Sequence, residues 1–500
     1  MQWDISLPIA FPLFYKNNFM PNNQSYIDGK WISGSGKTFK NINPSNTQDI
    51  VGEYQECNLD EFNTAVRSAK KAQLEWEEVG IEKKSTILIK IGDELISRSK
   101  ELGELLCREE GKTLPEGIGE VARAGQQFQY YGAECLRMAG EKIPSTRPGF
   151  QVEITREPIG VIGIISPWNF PIAIPAWKAA PALMCGNAVI LKPASLTPAS
   201  AIALTEIIAK QDIPSGLFNL VIGSGSGIGN AIATHEDIPA ISFTGSVDVG
   251  RTLYTNAAPQ LKKMQMEMGS KNPLVVLDDA DLSTAISCAA NGAYGGTGQK
   301  CTASSRLIVQ EGIYQKFIEG LVEHIKKIKV GHALDEGSQM GPVSNQAQYE
   351  SNLEYVEIGK KEAKLIHGGN PMNMRTPGYY MEPTLFIDGE NQSRINQEEM
   401  FGPIACVIPC KDLEHGLAIA NDTQFGLSSG VITTSLAKAE HFKKNIKTGV
   451  ATVNLPTAGL DYHVPFGGRK ASSFGLREQG TYAKEFYTQI KTSYINAGSI

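Results

Sequence analysis

The most reactive side chain in this sequence is that of Cys301, which follows three closely spaced glycines in the segment GGTGQKCTASSR. Glycines leave the backbone free to approach a ligand closely. Most cysteines are small buried hydrophobic residues, so the thiol alone indicates little. As a thiolate, however, cysteine is the best side-chain nucleophile near neutral pH, and it attacks carbonyl groups. Cys301 is therefore a candidate nucleophile for a carbonyl substrate.

Two further polar residues could assist such a nucleophile. Glu267 lies in MEMGSKNP, within an otherwise apolar segment. A carboxylate in an apolar pocket has a raised pKa and can act as a base toward a thiol or water; the alternative is an exposed glutamate at a strand end. Asn169, in SPWNFP, could direct its amide N–H at a developing oxyanion together with the Cys301 backbone N–H. Taken alone, Asn169 is typical of a turn.

The elements that must position these residues begin with a helical region over about 59–139, which could cover one face of a sheet. Four apolar runs of strand length follow, each ending in turn residues and then a helix-like stretch: GVIGIISPWNF, NAVILKPAS, GLFNLVIGSG and AISFTGS. Runs that are apolar on both faces and separated by helices predict buried parallel strands of a doubly wound sheet. This unit spans about 159–269.

A second alternating segment starts at NPLVVLDDADL, continues through RLIVQEG and a helix over 311–331, and ends near Asn454. It predicts another α/β domain. The segments QVEITREP, at 151–158, and FYTQIKTSYI, near the C-terminus, alternate like strands. A pair of such strands would leave open edges that another subunit could cover, so we expect a homo-oligomer, either a dimer or a tetramer.

Length and composition set the class of protein. The 500 residues exceed what one hydrophobic core organises, and 41% apolar with 20% charged residues is typical of a globular enzyme. The formal net charge of −6 argues against a general nucleic-acid binder. The eight cysteines are dispersed, without a CxxC pair or a histidine cluster, so we expect reduced thiols and no metal.

The expected cellular location depends on whether the sequence has a membrane helix or a signal peptide. No stretch reaches the roughly 18 apolar residues that a membrane helix needs. Residues 1–25 form an extension with neither a basic start nor a small-residue cleavage site, so we expect no signal peptide. A cytoplasmic protein without a membrane partner is the expectation.

The motifs together resemble those of the aldehyde dehydrogenase superfamily. The resemblance runs from about Tyr26 to the C-terminus and is carried, in order and approximate spacing, by GVIGIISPWNFP, ILKPAS, SFTGSVDVG, MEMGSKNP, TGQKCT, EEMFGPI and PFGGRKASSFG. It implies an α/β fold with a Rossmann-type NAD(P)-binding domain, an α/β catalytic domain and a region of oligomerisation strands. The expected boundaries are 26–139 and 159–269 for the first domain, 270–454 for the second, 140–158 and 484–497 for the strands, and 455–483 for a loop that returns to the cofactor domain.

The resemblance also implies roles for the reactive residues. Cys301 matches the family nucleophile, Glu267 the general base, and Asn169 the amide that stabilises the oxyanion. Lys178, in PAWKAAPAL, matches a lysine in the proton path from the base. The implied reaction is oxidation of an aldehyde to a carboxylate through a thioester on Cys301. Acylating, CoA-dependent relatives generally lack the glutamate, so Glu267 favours hydrolysis of that thioester.

For the cofactor, the resemblance implies that the pyrophosphate lies at the start of the helix after SFTGS. Gly245, Ser246 and Gly250 are then the phosphate turn, because a helix N-terminus favours an anion. Ser166 and Trp168 of the SPWN segment would flank the cofactor.

The two riboses have their own implied contacts. Lys192 corresponds to the lysine that contacts the adenosine ribose, Glu399 to the glutamate that holds the nicotinamide ribose, and Phe401 to the aromatic residue beneath the nicotinamide. The glycines of VIGSGSGIGNAI do not have the GxGxxG spacing, so this segment is expected only as a wall beside the adenine, with Gly225 closest.

The chain departs from the family pattern at three positions. Ser195 stands where NAD-specific members tend to carry a glutamate that accepts both ribose hydroxyls. Without that carboxylate, and with Lys192 nearby, a 2′-phosphate is not repelled, so we expect NADP to be accepted, and a preference for NADP over NAD stays open on the sequence. Ser270 and Ser473 replace glycines of the GGK and KxSGxG motifs, and we expect local adjustment without loss of activity.

The segment from Asn454 to Gly480 resembles the subgroup that oxidises 2-oxoglutarate semialdehyde, also called 2,5-dioxopentanoate. The 2-oxo acid end of that substrate needs a cation or several donors. Arg123, in EVARAGQQFQYYG, falls where family members line the entrance, and Phe170 would line an apolar wall. His463 and Arg469 are further candidates. A solvated helix arginine is the alternative interpretation of Arg123.

Three other functions remain open on the sequence. Two are enzymatic: a succinate semialdehyde dehydrogenase, and a broad-range aliphatic or betaine aldehyde dehydrogenase. A cationic aldehyde would require acidic or aromatic tunnel residues, and Arg123 argues against it. The third is a non-catalytic structural relative. Intact Cys301, Glu267 and Asn169 argue against that, since a chain without catalysis need not keep all three.

Overall fold

A computed structural model describes residues 22–496 and 498. The expected N-terminal extension falls mostly outside the described residues. Along the described part the strands are β1 (Ser25–Ile27), β2 (Lys30–Ile32), β3 (Thr38–Ile42), β4 (Ile50–Gln55), β5 (Glu141–Pro144), β6 (Phe150–Pro158), β7 (Val161–Ile165), β8 (Ala188–Lys192), β9 (Phe218–Leu220), β10 (Ala240–Thr244), β11 (Lys263–Glu267), β12 (Asn272–Val276), β13 (Ser304–Gln310), β14 (Lys364–His367), β15 (Thr384–Ile387), β16 (Ile404–Cys410), β17 (Ser428–Ile432), β18 (Val450–Val453), β19 (Ser473–Phe474) and β20 (Thr488–Asn496).

The helices over the same residues are α1 (Leu59–Glu77), α2 (Ile81–Ser97), α3 (Ser99–Glu110), α4 (Leu114–Cys135), α5 (Ala173–Met184), α6 (Pro198–Ala209), α7 (Asn230–Thr234), α8 (Val247–Ala257), α9 (Leu282–Tyr294), α10 (Tyr314–Ile325), α11 (Gln346–Glu362), α12 (Arg394–Gln397), α13 (Leu413–Asn421), α14 (Leu436–Asn445) and α15 (Lys484–Tyr487). Among residues 22–496 and 498, none of these helices is both long and apolar enough to cross a membrane.

The first sheet has the strand order β19-β11-β10-β7-β8-β9-β1-β2. The strands from β11 to β9 run parallel, and every residue of β7, β8 and β10 is buried. The four apolar runs are therefore parallel strands of one sheet, and the prediction is confirmed. Strand β11 ends at Glu267, so the sheet itself carries the candidate base to its carboxyl edge.

The helical region before this sheet only partly covers it. Helix α1 packs against β7, β8 and β9, whereas α4 packs mainly on α2, α3 and α5. The prediction of helices at 59–139 is confirmed. Of these helices, however, it is mainly α1 that covers the sheet face. The reason is that α5 and α6 lie between the later helices and the sheet.

The second sheet has the strand order β14-β15-β16-β13-β12-β17-β18 and is parallel except for the pair β14 and β15. Its core is separate from that of the first sheet, with its buried side chains between Leu274 and Ile446. The predicted second α/β segment is confirmed. It positions the nucleophile segment, because α9 and β13 flank it directly.

A third sheet joins β20, β6 and β5 in antiparallel order, with Thr488 opposite Pro158 at one end and Asn496 opposite Phe150 at the other. The predicted pairing of these segments is confirmed. The segment 455–483 leaves the second sheet after β18 and reaches the first sheet as β19, which pairs with β11.

Candidate active site

The loop before Cys301 has a backbone that few residues can adopt. Gly296, Thr297 and Gly298 have φ of 60°, 56° and 68°, the left-handed region. A Cβ on Gly298 would lie 2.1 Å from the carbonyl oxygen of Gly402, so only glycine permits this approach. The loop therefore packs against the segment that carries Glu399 and Phe401, and Cys301 is left half-buried.

Asn272 holds the nucleophile segment from the other side. Its side-chain amide donates to the Cys301 carbonyl at 2.7 Å and to the Ala303 carbonyl at 2.9 Å. The Ser270 hydroxyl donates to the Asn272 side-chain oxygen at 2.7 Å. Ser270, which stands in place of a motif glycine, thus supports the residue that fixes the backbone on both sides of Thr302.

Asn169 is buried in the turn after β7, and its side-chain amide donates to the Gln299 carbonyl at 3.0 Å. Gln299 lies two residues before Cys301. A primary amide has two N–H donors, so one fixes the nucleophile loop and the other remains for an oxyanion. The structure therefore places Asn169 against the loop that carries Cys301, and its role toward an oxyanion stays a prediction.

The thiol of Cys301 is a weak acid in this environment. Burial raises its pKa to about 12, the negative charges of Glu267 and Glu399 contribute, and its own backbone N–H acts in the opposite direction. Almost all of the thiol is therefore protonated at neutral pH. Formation of the thiolate requires a base or a nearby positive charge.

Glu267 is 3% exposed. Burial raises the pKa of its carboxyl group well above the ordinary value, and the negative charge of Glu478 raises it further. Ser473, Lys178 and Arg477 act in the opposite direction. The alternative of an exposed glutamate at a strand end is wrong, because β10 and β19 flank β11 at this point.

Lys178 lies on α5 and is completely buried. Its ammonium group forms an ion pair with Glu478 and donates to the Ser242 hydroxyl at 2.9 Å. The carboxyl group of Glu478 also influences the pKa of Glu267, so the three ionisable groups form one buried cluster. The sequence analysis did not identify Glu478. It lies in the segment from Asn454 to Gly480, and a buried lysine such as Lys178 requires an acidic partner.

A cavity of about 300 Å³ is lined by Cys301. Phe170, Trp177 and Phe466 line its apolar side, and Arg123 of α4 lines its polar side. The Arg123 guanidinium lies 5.4 Å from the Tyr462 ring. The structure therefore brings Arg123 and Phe170 to the same cavity as the nucleophile.

Burial lowers the pKa of Arg123, while nearby Asp461 and Tyr462 partly oppose this effect. The cation is thus half-desolvated. An anionic group in the cavity would regain the interaction that burial removes.

Two further lysines, missed by sequence reasoning, line the cavity. Lys112 is buried, pairs with Glu120 at 2.8 Å and lies 3.8 Å from the Phe170 ring centroid. Lys300 donates to the Asn291 carbonyl at 3.3 Å, and burial lowers its pKa. Lys112 lies outside the motifs that carry the resemblance, and Lys300 lies inside TGQKCT but has no role that the resemblance implies.

His463 and Arg469 are placed differently. Both side chains are exposed, and neither is among the described residues that line the cavity. The His463 ring contacts the Tyr462 ring at 5.7 Å between centroids. Tyr462, and not His463, lies beside Arg123.

The carboxyl ends of β7, β8 and β10 lie at one edge of the first sheet. The hydroxyl groups of Ser166 and Thr244 lie there, buried and without a hydrogen-bond partner among the described residues. Such orphaned groups are rare unless a ligand or water satisfies them. The carboxyl edge of a parallel sheet is where nucleotides bind in open α/β folds.

Helix α8 begins beside these hydroxyl groups. Ser246 is its N-cap and accepts from the Val249 N–H at 3.4 Å, with Gly245 before it and Gly250 in the first turn. The free N–H groups and dipole of this helix end favour a phosphate.

Lys192 ends β8, buried, with its ammonium group donating to the carbonyls of Pro193 at 2.7 Å and Gly223 at 3.2 Å. Burial lowers its pKa to about 8, and Glu56 is the charge that opposes this. Ser195 lies three residues on and is half-exposed. No heavy atom lies within 4 Å of the position of a Cβ on Gly225, so the wall there faces open space.

The remaining cofactor candidates, Glu399 and Phe401, lie in the segment that packs against the loop before Cys301. Glu399 accepts from the Ser270 N–H at 2.7 Å, and burial raises its pKa to about 7. Phe401 has a φ of 54°, and its ring meets that of Trp168 edge to face at 5.4 Å. The orphaned hydroxyls, the helix start and this aromatic pair fit a dinucleotide between β7 and the Cys301 loop.

Comparisons with known proteins agree with this geometry. Residues 31–493 match the family model described as "Aldehyde dehydrogenase family". The chain is 41% identical over 475 residues to an alpha-ketoglutaric semialdehyde dehydrogenase of Bacillus subtilis, covering 94% of this chain and 97% of the relative.

Solved structures share the fold. One is a betaine aldehyde dehydrogenase from Staphylococcus aureus in complex with NAD+, with a TM-score of 0.93, 31% identity and coverage of 96% of both chains. Another is an NADP-dependent enzyme of E. coli, with a TM-score of 0.93, 32% identity and coverage of 96% of this chain and 99% of that one.

Proposed function

Since the chain belongs to the aldehyde dehydrogenase family, we propose that it oxidises 2-oxoglutarate semialdehyde to 2-oxoglutarate. The general reaction is NAD(P)-dependent oxidation of an aldehyde to an acid, and the chain is an enzyme of that class. The observation that carries the proposal is the cavity, which Cys301, Arg123 and three aromatic side chains line together.

Cys301 is the nucleophile of this proposal. Its sulfur attacks the aldehyde carbon, and a C–S bond forms as the carbonyl oxygen gains the negative charge. The free N–H of Asn169 and the Cys301 backbone N–H donate to that oxygen. Because the thiol pKa is about 12, a base must take its proton at neutral pH.

The cofactor would be held by three groups of residues. The start of α8 at Ser246 would bind the pyrophosphate, Lys192 one ribose and Glu399 the other. When bound, NAD(P) supplies the acceptor for the hydride that leaves the substrate carbon. Trp168 and Phe401, whose rings meet edge to face, would lie beside it.

Glu267 is the base for the second half of the reaction. It takes a proton from water, the water oxygen bonds to the thioester carbon, and the C–S bond breaks to release the acid and the Cys301 sulfur. The raised pKa makes the ionised carboxylate of Glu267 a stronger base toward water than an ordinary glutamate. The buried pair of Lys178 and Glu478 lies beside Glu267 and supports a proton path toward the interior.

The choice of substrate is supported by charge and by similarity. Arg123 is a half-desolvated cation at the cavity, and an arginine binds a carboxylate with two parallel hydrogen bonds. Lys112 does not provide an equivalent free cation, because Glu120 neutralises it. A quaternary ammonium aldehyde would be repelled by Arg123, which argues against betaine aldehyde although relatives of that name have the same fold.

We also propose that NADP is accepted and preferred. Ser195 offers no carboxylate near Lys192, so a 2′-phosphate meets no repulsion from that position. A ratio of kcat/KM for NADP over NAD below about one hundredth, a difference of roughly 2.7 kcal/mol, would contradict this.

A homo-oligomer, dimer or tetramer, is the proposed assembly. Strand β20 has an open edge and exposes Ile490 and Tyr494, at 60% and 61%. An open strand edge with apolar side chains invites pairing with a second copy. A cytoplasmic location is supported by the eight free thiols, all within the described residues.

The test of the proposed function separates the two halves of the reaction. The wild type, Glu267→Gln and Cys301→Ala are mixed with NADP and 2-oxoglutarate semialdehyde, and NADPH is followed by stopped flow. We expect Glu267→Gln to give a burst of one NADPH per subunit and then a steady state slower by about 10²- to 10⁴-fold, the contribution of a general base. Cys301→Ala should give no burst.

The matched control is Glu236→Gln, which changes an exposed glutamate outside the site and should behave like the wild type. An unchanged steady state in Glu267→Gln would remove its role as the base. No NADPH from the wild type would support a non-catalytic relative. Faster turnover of succinate semialdehyde or an aliphatic aldehyde would overturn the choice of substrate.

A further inference from the structure

Ser473 stands where the family motif has a glycine, and the fold places it directly beside the base. Strand β19 runs antiparallel to β11, with Ser473 opposite Glu267 and Phe474 opposite Met266. Side chains directly opposite each other on antiparallel strands project from the same face, with Cβ atoms about 4.5–5.5 Å apart. Any side chain at position 473 therefore faces Glu267, and glycine would leave that place empty.

The hydroxyl of Ser473 is committed to the carboxyl group. It donates to Glu267 Oε2 at 2.5 Å and accepts from the Gly468 N–H at 2.6 Å. Because the backbone N–H occupies the acceptor side of the hydroxyl, its own hydrogen is directed at the carboxylate. A hydrogen bond donated to a carboxylate favours the ionised form.

The other carboxylate oxygen is enclosed as well. A Cβ on Gly467 would lie 2.7 Å from Glu267 Oε1, and the φ of Gly467 is 146°, which only glycine adopts readily. The carboxyl group thus lies between Gly467 and Ser473. Glu267 is not among the described residues that line the aldehyde cavity.

We propose that Ser473 is a positioning residue: its hydroxyl fixes the Glu267 carboxyl group beside β19 and favours the ionised form that hydrolysis of a thioester requires. This inference rests on the proposed role of Glu267 as the base of hydrolysis. It assigns a task to a position that departs from the family motif, where a glycine cannot perform it.

The sign of the effect follows from the groups that face Glu267. Burial and Glu478 raise its pKa, while Ser473 is the largest of the influences that lower it, ahead of Lys178 and Arg477. Cys301 also faces it, since the charge of Glu267 raises the thiol pKa. Removal of the Ser473 hydroxyl therefore raises the pKa of Glu267 further. The base is then protonated up to a higher pH, and hydrolysis slows on the acidic side.

The experiment measures kcat against pH, between about pH 5.5 and 9, for the wild type, Ser473→Gly, Ser473→Ala and Ser473→Thr. The glycine and alanine variants should move the acidic midpoint upward by about one to two pH units, the shift that corresponds to losing a hydrogen bond to a charged group. The threonine variant keeps a hydroxyl and should restore the wild-type midpoint. Ser473 has an extended backbone, with φ of −149°, so each of these residues fits it.

Ser472→Ala is the matched control, because the Ser472 hydroxyl accepts from the Gly426 N–H and does not contact Glu267. Its acidic midpoint should equal that of the wild type, even if its stability falls. An unmoved midpoint in Ser473→Gly and Ser473→Ala, or an equal shift in Ser472→Ala, overturns the proposal.

A burst measurement separates this proposal from the function on which it rests. Ser473→Gly should keep a burst of one NADPH per subunit, because formation of the thioester does not need the hydroxyl. In the Glu267→Gln background the same change should have no further effect on the steady state, since residues that act through one group are not additive. If Glu267→Gln loses the NADPH burst, the proposed function fails. If Glu267→Gln keeps the burst but Ser473→Gly does not move the acidic midpoint of kcat, only the role of Ser473 fails.

Discussion

Replacing Arg123 with alanine tests how the enzyme recognises the acid end of its substrate. The guanidinium lines the cavity that reaches Cys301 and stacks near the Tyr462 ring, at 5.4 Å. The charge that most favours its ionised form is that of Asp461, which is exposed and only partly offsets the effect of burial on the arginine pKa. A substrate carboxylate would therefore find this cation without a strong competing partner.

The size of the effect follows from the kind of bond that is lost. Hydrogen bonds to charged groups contribute about 1.5–3 kcal/mol, which is a loss of about 10- to 150-fold in kcat/KM at 25 °C. We expect the upper half of this range, because an arginine and a carboxylate form two parallel bonds. Arg123→Lys keeps the charge but not that geometry, so its loss should lie between those of the wild type and the alanine variant.

The assay compares kcat/KM for 2-oxoglutarate semialdehyde with that for pentanal, which has the same chain length and no carboxylate. Arg123→Ala should lose activity toward the first aldehyde and little toward the second. Arg137→Ala is the matched control, because Arg137 follows the same helix, α4, but its side chain is 66% exposed and pairs with Glu134. Equal losses for both aldehydes, or no loss for either, would refute the assignment of Arg123 to the carboxylate.

Two further predictions concern the cofactor and the assembly. Ser195→Glu adds a carboxylate near Lys192 and should lower the ratio of kcat/KM for NADP over NAD by about 100-fold or more, because two charges about 4 Å apart repel by roughly 4 kcal/mol near a protein surface. Ser283→Glu, at an exposed position in the first turn of α9, is the control. An unchanged ratio in Ser195→Glu would show that position 195 does not face the 2′-phosphate. Ile490→Asp, on the exposed face of β20, should reduce the molar mass measured by light scattering toward the 54.2 kDa of one chain. The reason is that it places a charge where a second copy would cover an apolar residue. A wild type that is already monomeric would contradict the proposed homo-oligomer.

Much of the fold could be predicted because its signals are local. The four apolar runs between residues 160 and 246 are buried on both faces, so their composition alone indicated parallel strands. The motif around Cys301 was also local. Gly298 precedes the nucleophile by three residues, and a glycine is the residue type that adopts its left-handed backbone most readily. The hydrophobic pattern likewise predicted β6 and β20, although not which other strand would join them.

The tertiary structure alone decided which side chains meet. Ser473 contacts Glu267 across 206 residues, and Glu478 contacts Lys178 across 300. Neither contact has a local signal, because the pairing of β19 with β11 depends on how the segment after β18 crosses back to the first sheet. The same reason explains His463, which lies in a suggestive segment of the sequence but has an exposed side chain.

For this protein, the sequence by itself determined the elements and the reactive residue types, since hydrophobic period and backbone preference act over a few residues. The register between β11 and β19 decided which side chain contacts the carboxyl group of Glu267. A side chain in a strand faces one side or the other with a period of two, so a shift of one residue would have turned Ser473 away from Glu267. Ser473 was expected only to adjust locally; its position opposite Glu267 is what makes its hydroxyl a partner of the base.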